Sequence, residues 1–176
     1  LVAQLPFVIA LQSHLGPPAV FKALSWLGSE EFFLLLIPLF YLCIDHRIGA
    51  KLGLLVLASD TLNVLVKALC QQPRPYWVTT NVLPLATDAS NGFPSSHAQD
   101  AVVVWLFLAA ACWCRRKGKV AYLPAIVLIL AISLSRVYLG VHYPTDILGG
   151  WLLGALVLLI FGKWWRLVAD WFKSVP

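Results

Sequence analysis

The sequence predicts an all-α fold, a polytopic membrane helical bundle of five or six transmembrane helices, and three observations carry that prediction. Apolar residues make up 60% of the 176 residues and charged residues only 12%, with a mean hydropathy of +0.82. That composition lies outside the range of water-soluble domains, so lipid is the solvent for most of the surface. Apolar runs recur along the chain between short polar turns. The ionisable residues that interrupt those runs gather in three stretches. A charge at mid-bilayer costs about 2.5–3.5 kcal/mol, so such residues are expected to turn towards the bundle interior. A chain of this length is expected to form one unit, residues 1–176.

Leu1 to Leu11 is a short apolar piece, ended by Ser13-His14-Leu-Gly-Pro-Pro18, whose prolines break a helix. It is either the remnant of a trimmed membrane helix or an interfacial segment. Leu1 is not an initiator methionine and the chain contains no Met; neither a basic n-region nor a small-residue cleavage site marks a signal peptide, so the N-terminus is expected to be trimmed. Phe21 to Gly28 reads as a short amphipathic surface helix, which makes 1–28 partial or interfacial, and Ser29-Glu30-Glu31 caps the next run. Phe32 to Ile44 is free of charge and holds Pro38, which kinks a membrane helix without forbidding it. The turn Asp45-His46-Arg47 ends it.

Leu52 to Leu69 spans next and places Asp60, Asn63 and Lys67 on one face at helical spacings. Gln71 to Ser96 is a long loop with four prolines and the polar run Thr87-Asp-Ala-Ser-Asn-Gly92, a length that is often functional. His97 opens a helix that continues to Cys114, with Ser96 and Gln99 as a capping box. Arg115-Arg-Lys-Gly-Lys119 turns the chain, Val120 to Ser135 spans again, and Gly140 suits a helix end. Ile147 to Gly162 is the last span; the tail, 163–176, mixes tryptophan with basic residues as interfacial helices do. Cys43, Cys70, Cys112 and Cys114 fit no metal or disulfide spacing and read as free thiols.

The net charge of +5 is unevenly spread. With loops assigned to alternating sides, Arg47, Lys51, Arg115, Arg116, Lys117, Lys119, Lys163, Arg166 and Lys173 fall on one face, nine of the thirteen basic residues. Of the other four, Lys67, Arg74 and Arg136 belong to the polar stretches and only Lys22 does not. The positive-inside bias therefore turns the polar stretches away from the cytoplasm.

Those stretches carry the chemistry. In Ser135-Arg136-Val-Tyr-Leu-Gly-Val-His142-Tyr-Pro-Thr-Asp146 a histidine precedes an aspartate by four residues, and Pro144 suits the first turn of the following helix. An imidazole held by a carboxylate is the expectation, with Arg136 beside it as an anion fork. Lys67-Ala-Leu-Cys-Gln-Gln-Pro-Arg74-Pro75 and Pro94-Ser95-Ser96-His97 complete the set. Cleaving a phosphate ester needs cationic donors around the oxygens, an in-line nucleophile and an acid for the departing alcohol. Lys67, Arg74 and Arg136 supply the cradle, and the N–H groups of Ser95, Ser96 and His97 at a helix start supply an anion site.

Together the stretches resemble the signature of the type 2 phosphatidic acid phosphatase family, related to bacterial acid phosphatases and vanadium haloperoxidases: K-x6-RP, PSGH and SR-x5-H-x3-D, in that order. The resemblance runs from about Asp60 to Gly154, with one departure, Ser96 where the family usually has glycine. It implies a membrane phosphatase in which His142 is the nucleophile that forms a phosphohistidine, Asp146 orients it and His97 is the general acid. No metal or other cofactor is implied, since the two histidines and scattered cations do not form a ligand set. The implied partners are a lipid substrate and the bilayer, with no nucleic acid. Undecaprenyl diphosphate is favoured over phosphatidylglycerol phosphate and phosphatidic acid, in a bacterial inner membrane with the site facing the exterior.

Three other readings stand beside this one. Asp60 to Trp77 also resembles glucose-6-phosphatases of the same superfamily, which would make the substrate a sugar phosphate. A lipid phosphotransferase keeps the chemistry with another acceptor, and a silent binder of lipid phosphate drops it. Asp60 and Asn63 read as an interhelical hydrogen-bond contact, His14 and His46 as bystanders, Gly150-x3-Gly154 as close helix packing and Tyr76-Trp77 as an interface anchor.

Overall fold

The structure, a computed structural model, describes residues 1–113 and 118–174, without the side chains of 112, 113, 121 and 168–174. The expectations for Cys114, Arg115, Arg116, Lys117 and the last two residues of the tail lie outside the described residues, and those for Cys112 and Lys173 outside the described side chains. Every described element is helical: α1 (Leu5–His14, after a 3-10 turn at Val2–Gln4), α2 (Pro18–Trp26), α3 (Glu30–Leu39, prolonged by a π turn at Phe40–Ile44), α4 (His46–Cys70), α5 (Pro75–Val78), α6 (Ser96–Leu108, prolonged by a π turn at Ala109–Trp113), α7 (Tyr122–Tyr138, after a 3-10 turn at Gly118–Ala121) and α8 (Pro144–Ser174).

Within the described residues, all five apolar runs read from the sequence are helical. Among the described residues three helices, His46–Val78, Gly118–Tyr138 and Pro144–Leu167, are long and apolar enough to cross a membrane, and four if Pro18–Trp26 with Glu30–Ile44, bent by 46°, counts as one span, against the five or six expected. Ser96–Ala111 is a shorter apolar helix. At 1.5 Å per residue it reaches roughly 24 Å against about 30 Å of hydrocarbon. Its place explains its length: Ala98 to Val104 are all buried, and a helix covered on every side is the centre of a bundle. Phe33, Leu52, Val104 and Leu108 join it to α3 and α4; Ala101, Val102, Ile129 and Ile132 join it to α7; Val103 meets Leu55 and Val157, from α4 and α8.

Helix ends follow local chemistry. Ser29 caps α3 as expected, its Oγ accepting from the Phe32 N–H at 3.3 Å. Asp45 does more than end a run: its Oδ1 accepts from the Arg47 and Ile48 N–H groups at 2.8 and 3.3 Å, which satisfies two of the free donors at the start of α4. The expected capping box is corrected. Ser95, not Ser96, is the N-cap of α6, its Oγ accepting from the Ala98 N–H at 3.4 Å. Gln99 turns inward instead, because on a helix buried all round its amide finds hydrogen-bond partners on α4. Gly140 has φ +78°, and a Cβ there would lie 2.7 Å from the Leu83 carbonyl oxygen, so only glycine lets α7 end against that loop.

The glycines of α8 set the register of the site. A Cβ on Gly150 would lie 2.6 Å from the Ser95 carbonyl oxygen, and one on Gly154 2.6 Å from that of Gln99. Close helix packing is thus what this pair provides, and it brings the start of α8 against the start of α6, where the Ser95 N–H donates to the Asp146 carbonyl at 3.1 Å. At the opposite end Lys51 of α4 lies over the Trp165 ring of α8, 4.3 Å from its centroid. Lys51 therefore sits at the end of the bundle opposite the polar stretches. α8 carries on through Lys163 and Arg166 without a break.

Candidate active site

Arg74 closes the long loop over the end of α4. Its Nε donates to the Ser90 carbonyl at 2.6 Å, Nη1 to the Val141 carbonyl at 3.0 Å, and Nη2 to Ser90 Oγ and the Asn91 carbonyl at 3.1 and 3.2 Å. Nη2 also pairs with Asp88 Oδ2 at 2.8 Å, and the arginine is fully buried. Lys67, one helical turn before the end of α4, donates to the Asn91 carbonyl at 2.8 Å and to Ser90 Oγ at 3.3 Å. Both cations thus organise residues 88–91, and the polar run read as loop is part of the site. Tyr76, read as an interface anchor, holds that run: its hydroxyl donates to the Asp88 carbonyl at 2.9 Å and accepts from the Asp88 N–H at 3.2 Å.

His142 and Asp146 meet as expected, with Nδ1 3.3 Å from Asp146 Oδ2. Arg74 Nη1 lies 3.3 Å from the other ring nitrogen, Nε2. An arginine can only donate, so Nε2 accepts and the ring proton is on Nδ1, donated to the carboxylate. Asp146 is held in turn: Oδ2 accepts from the Tyr143 N–H at 2.9 Å and Oδ1 from Gln72 Nε2 at 2.6 Å. Burial, and then the charges of Arg136, Arg74 and Lys67, push the His142 imidazole well below its ordinary value of 6.5. The resting ring is neutral, with a lone pair on Nε2.

Above these groups lies a cavity of about 470 Å³, lined among others by Lys67, Asp88, Ser96, His97 and Arg136. Arg136 donates from Nη1 to Ser25 Oγ at 2.8 Å and approaches Asp88 Oδ2 with Nη2 at 3.9 Å; its buried Nε has no hydrogen-bond partner among the described residues. The His97 ring likewise makes no hydrogen bond among the described residues and opens onto the cavity. Arg74, His142 and Asp146 lie behind the wall, each fully buried. Ser95 is buried there too, and its N–H is taken by the Asp146 carbonyl, which leaves the amides of Ser96 and His97 on the cavity side. All eight residues singled out from the sequence converge at this one end of the bundle.

Asn63 makes the interhelical contact expected of it, donating to Gln99 Oε1 at 2.8 Å, while Gln99 donates to the Ser59 carbonyl and Oγ at 2.8 and 2.9 Å. Ser59 in turn donates to Asp100 Oδ1 at 2.5 Å. This buried network ties α4 to α6 below the cavity, and Asp60 lines the cavity itself. Asp88, Ser90, Asn91 and Gln72 were not singled out from the sequence. The signal available for them was the density of polar residues in a loop wedged between motifs. Among the described residues no three His, Cys, Asp or Glu side chains converge as ligands for one metal ion.

A carboxylate-held histidine among three cations, at the end of an apolar helical bundle, defines an integral-membrane enzyme that handles phosphate groups. The chain belongs to the PAP2 superfamily, whose profile matches residues 48–169, and it is a lipid phosphate phosphatase. It is 31% identical over 153 residues to phosphatidylglycerophosphatase B of Bacillus subtilis, covering 80% of this chain and 71% of that protein. To an undecaprenyl-diphosphatase of Sulfolobus acidocaldarius it is 32% identical over 117 residues, 64% of this chain and 52% of the relative, so it spans only about half of that protein's length. The crystal structure of a transmembrane PAP2-type phosphatidylglycerolphosphate phosphatase from Bacillus subtilis superposes with a TM-score of 0.77 at 28% identity, over 94% of this chain and 85% of that one.

Proposed function

We propose that the chain is one integral-membrane unit, with partial or interfacial helices at 1–28 and an interfacial tail at 163–176, that hydrolyses a lipid phosphate or diphosphate through a phosphohistidine on His142. The observation that carries this reading is the His142 ring itself: proton on Nδ1 towards Asp146, lone pair on Nε2 towards Arg74. Lys67, Arg74, Arg136 and the amides of Ser96 and His97 hold the phosphate oxygens, with Ser95 capping the turn that presents them. Nε2 attacks phosphorus, the P–O bond to the leaving group breaks, and His97 gives its proton to the departing oxygen. A water then attacks the phosphohistidine, surrendering a proton to His97, and inorganic phosphate leaves. Asp146 stabilises the imidazolium character that develops on His142. No step calls for a metal ion.

The lipid side rests on Val64. It is 64% exposed on the outer surface of α4, yet it lines the same cavity as Lys67 and Arg136. A headgroup at the cations thus has its hydrocarbon beside it, which supports a lipid over a sugar phosphate. Three cations in one seat match the charge of a diphosphate better than that of a monophosphate. Undecaprenyl diphosphate is accordingly our first choice, then phosphatidylglycerol phosphate and phosphatidic acid. The membrane is a bacterial inner membrane, with the site facing the periplasm or exterior.

A single-turnover reaction with substrate radiolabelled in the scissile phosphate, quenched in alkali, tests the intermediate. Label on the wild-type protein that is acid-labile, maps to His142 and is missing from His142→Ala supports it. Full turnover by His142→Ala sinks it.

A further inference from the structure

Asp88 has no place in the mechanism above, yet it sits where that mechanism needs an anion. Its Oδ2 lies 2.8 Å from Arg74 Nη2 and 3.9 Å from Arg136 Nη2. Its Oδ1 accepts from the Ser90 N–H at 3.0 Å and from Ser90 Oγ at 2.9 Å. One oxygen is thus tied to the loop and the other is aimed between the two arginines. Asp88 also lines the cavity, and its side chain is 27% exposed while those of the two arginines are 0% and 7% exposed. The His142 lone pair is meanwhile occupied by Arg74 and lies behind the cavity wall.

We infer that Asp88 is a built-in stand-in for the phosphate group, a positioning residue that converges Arg74 and Arg136 in the resting enzyme and is exchanged for the substrate's phosphate on binding. This rests on the reading of the arginines as the phosphate seat. Buried guanidinium groups need a counter-charge, and a carboxylate offers the same acceptor geometry as two phosphate oxygens. The carboxylate and a phosphate dianion repel each other at one seat, so the charge that pre-assembles the cradle also opposes the ligand. Exchange swings Asp88 aside, draws Arg74 towards the phosphate and uncovers Nε2. After the reaction the carboxylate returns and displaces inorganic phosphate, which favours product release.

The test is Asp88→Asn, which keeps the shape and the loop hydrogen bonds and removes the charge. Inorganic phosphate and orthovanadate are titrated as competitive inhibitors and, separately, as ligands by their effect on thermal unfolding in detergent. The expected result is inhibition roughly tenfold tighter than in wild type, with lower KM and with kcat reduced by slower phosphate release. Phosphate that binds more weakly to Asp88→Asn, with KM raised, overturns the inference, because that is what loss of a mere prop for the arginines gives. A structure of wild type with orthovanadate in the cavity provides a measurement independent of the variant: Asp88 is expected to have left Arg74, and persistence of the ion pair beside bound vanadate overturns the exchange. Binding is read without turnover, so a wild type that binds phosphate but hydrolyses nothing contradicts the phosphatase mechanism and leaves the exchange standing.

Discussion

Asp146 accepts from His142, the Tyr143 N–H and Gln72 together, so its charge and its position both act through the imidazole. Asp146→Asn is expected to lower kcat by about 10²- to 10⁴-fold with little change in KM, since the amide cannot fix the Nδ1–H tautomer or stabilise the imidazolium; steady-state kinetics in detergent micelles read both. The sign of the pH dependence follows from burial and the three neighbouring cations, which disfavour the protonated ring. As pH falls, His142 picks up a proton only below its ordinary value, so the acid limb of kcat/KM is expected below pH 6.5, and a limb at or above 6.5 contradicts the charge-lined burial of that ring. The unfolded chain takes up that proton from about 6.5 downwards while the folded one does not, so His142 also erodes stability as pH drops through this window. Asp88 behaves differently. Burial works to raise its carboxyl, but the Ser90 hydrogen bonds and the Arg74 and Lys67 charges outweigh it and hold the group below its ordinary value, so it stays ionised in the neutral range. The residues that carry charge at fixed spacing were legible in the sequence because chemistry constrains them directly. Asp88, Ser90 and Asn91 were not, because their roles exist only once the loop folds back onto Arg74 and Lys67.

At the level of elements, the apolar runs predicted the helices because hydrocarbon leaves the backbone no other way to satisfy itself. Helix α6 was read with the wrong cap for the same reason that makes it central: a Gln three residues after Ser96 fits a capping box locally, but burial on every side sends that amide to Ser59 and Asn63. The Gly150 and Gly154 spacing was legible as close packing, and its consequence belongs to the helix pair. A methyl at Gly154 meets the Gln99 carbonyl and Val102, so Gly154→Ala is expected to force α6 and α8 apart and cost about 1–3 kcal/mol, read as a lower melting temperature in detergent. Gly150→Ala pushes on the Ser95 carbonyl instead. It is expected to lower kcat more than its effect on melting accounts for, because it shifts the turn that presents Ser96 and His97. Equal melting and equal kcat in the two variants would falsify the registry role of this pair.

Across the whole molecule, the proposed orientation rests on polarity along the bundle axis. The cation cradle occupies one end, and Lys51, against Trp165, marks the other. In a background free of cysteine, Asn81→Cys on the exposed loop is expected to react with a membrane-impermeant maleimide on intact cells, and His46→Cys only after permeabilisation. The reverse pattern would place the site in the cytoplasm. The exposed position of Val64 at the cavity rim fits the proposed lipid substrate, whose chain would lie beside the cradle. The most direct measurement is phosphate release by the purified protein in detergent with EDTA present, comparing undecaprenyl diphosphate, phosphatidylglycerol phosphate, phosphatidic acid and glucose 6-phosphate, with His142→Ala alongside. Release from a lipid, undecaprenyl diphosphate fastest, that survives EDTA and disappears in the variant is the predicted result. Release abolished by EDTA, confined to glucose 6-phosphate, or undiminished in His142→Ala contradicts it.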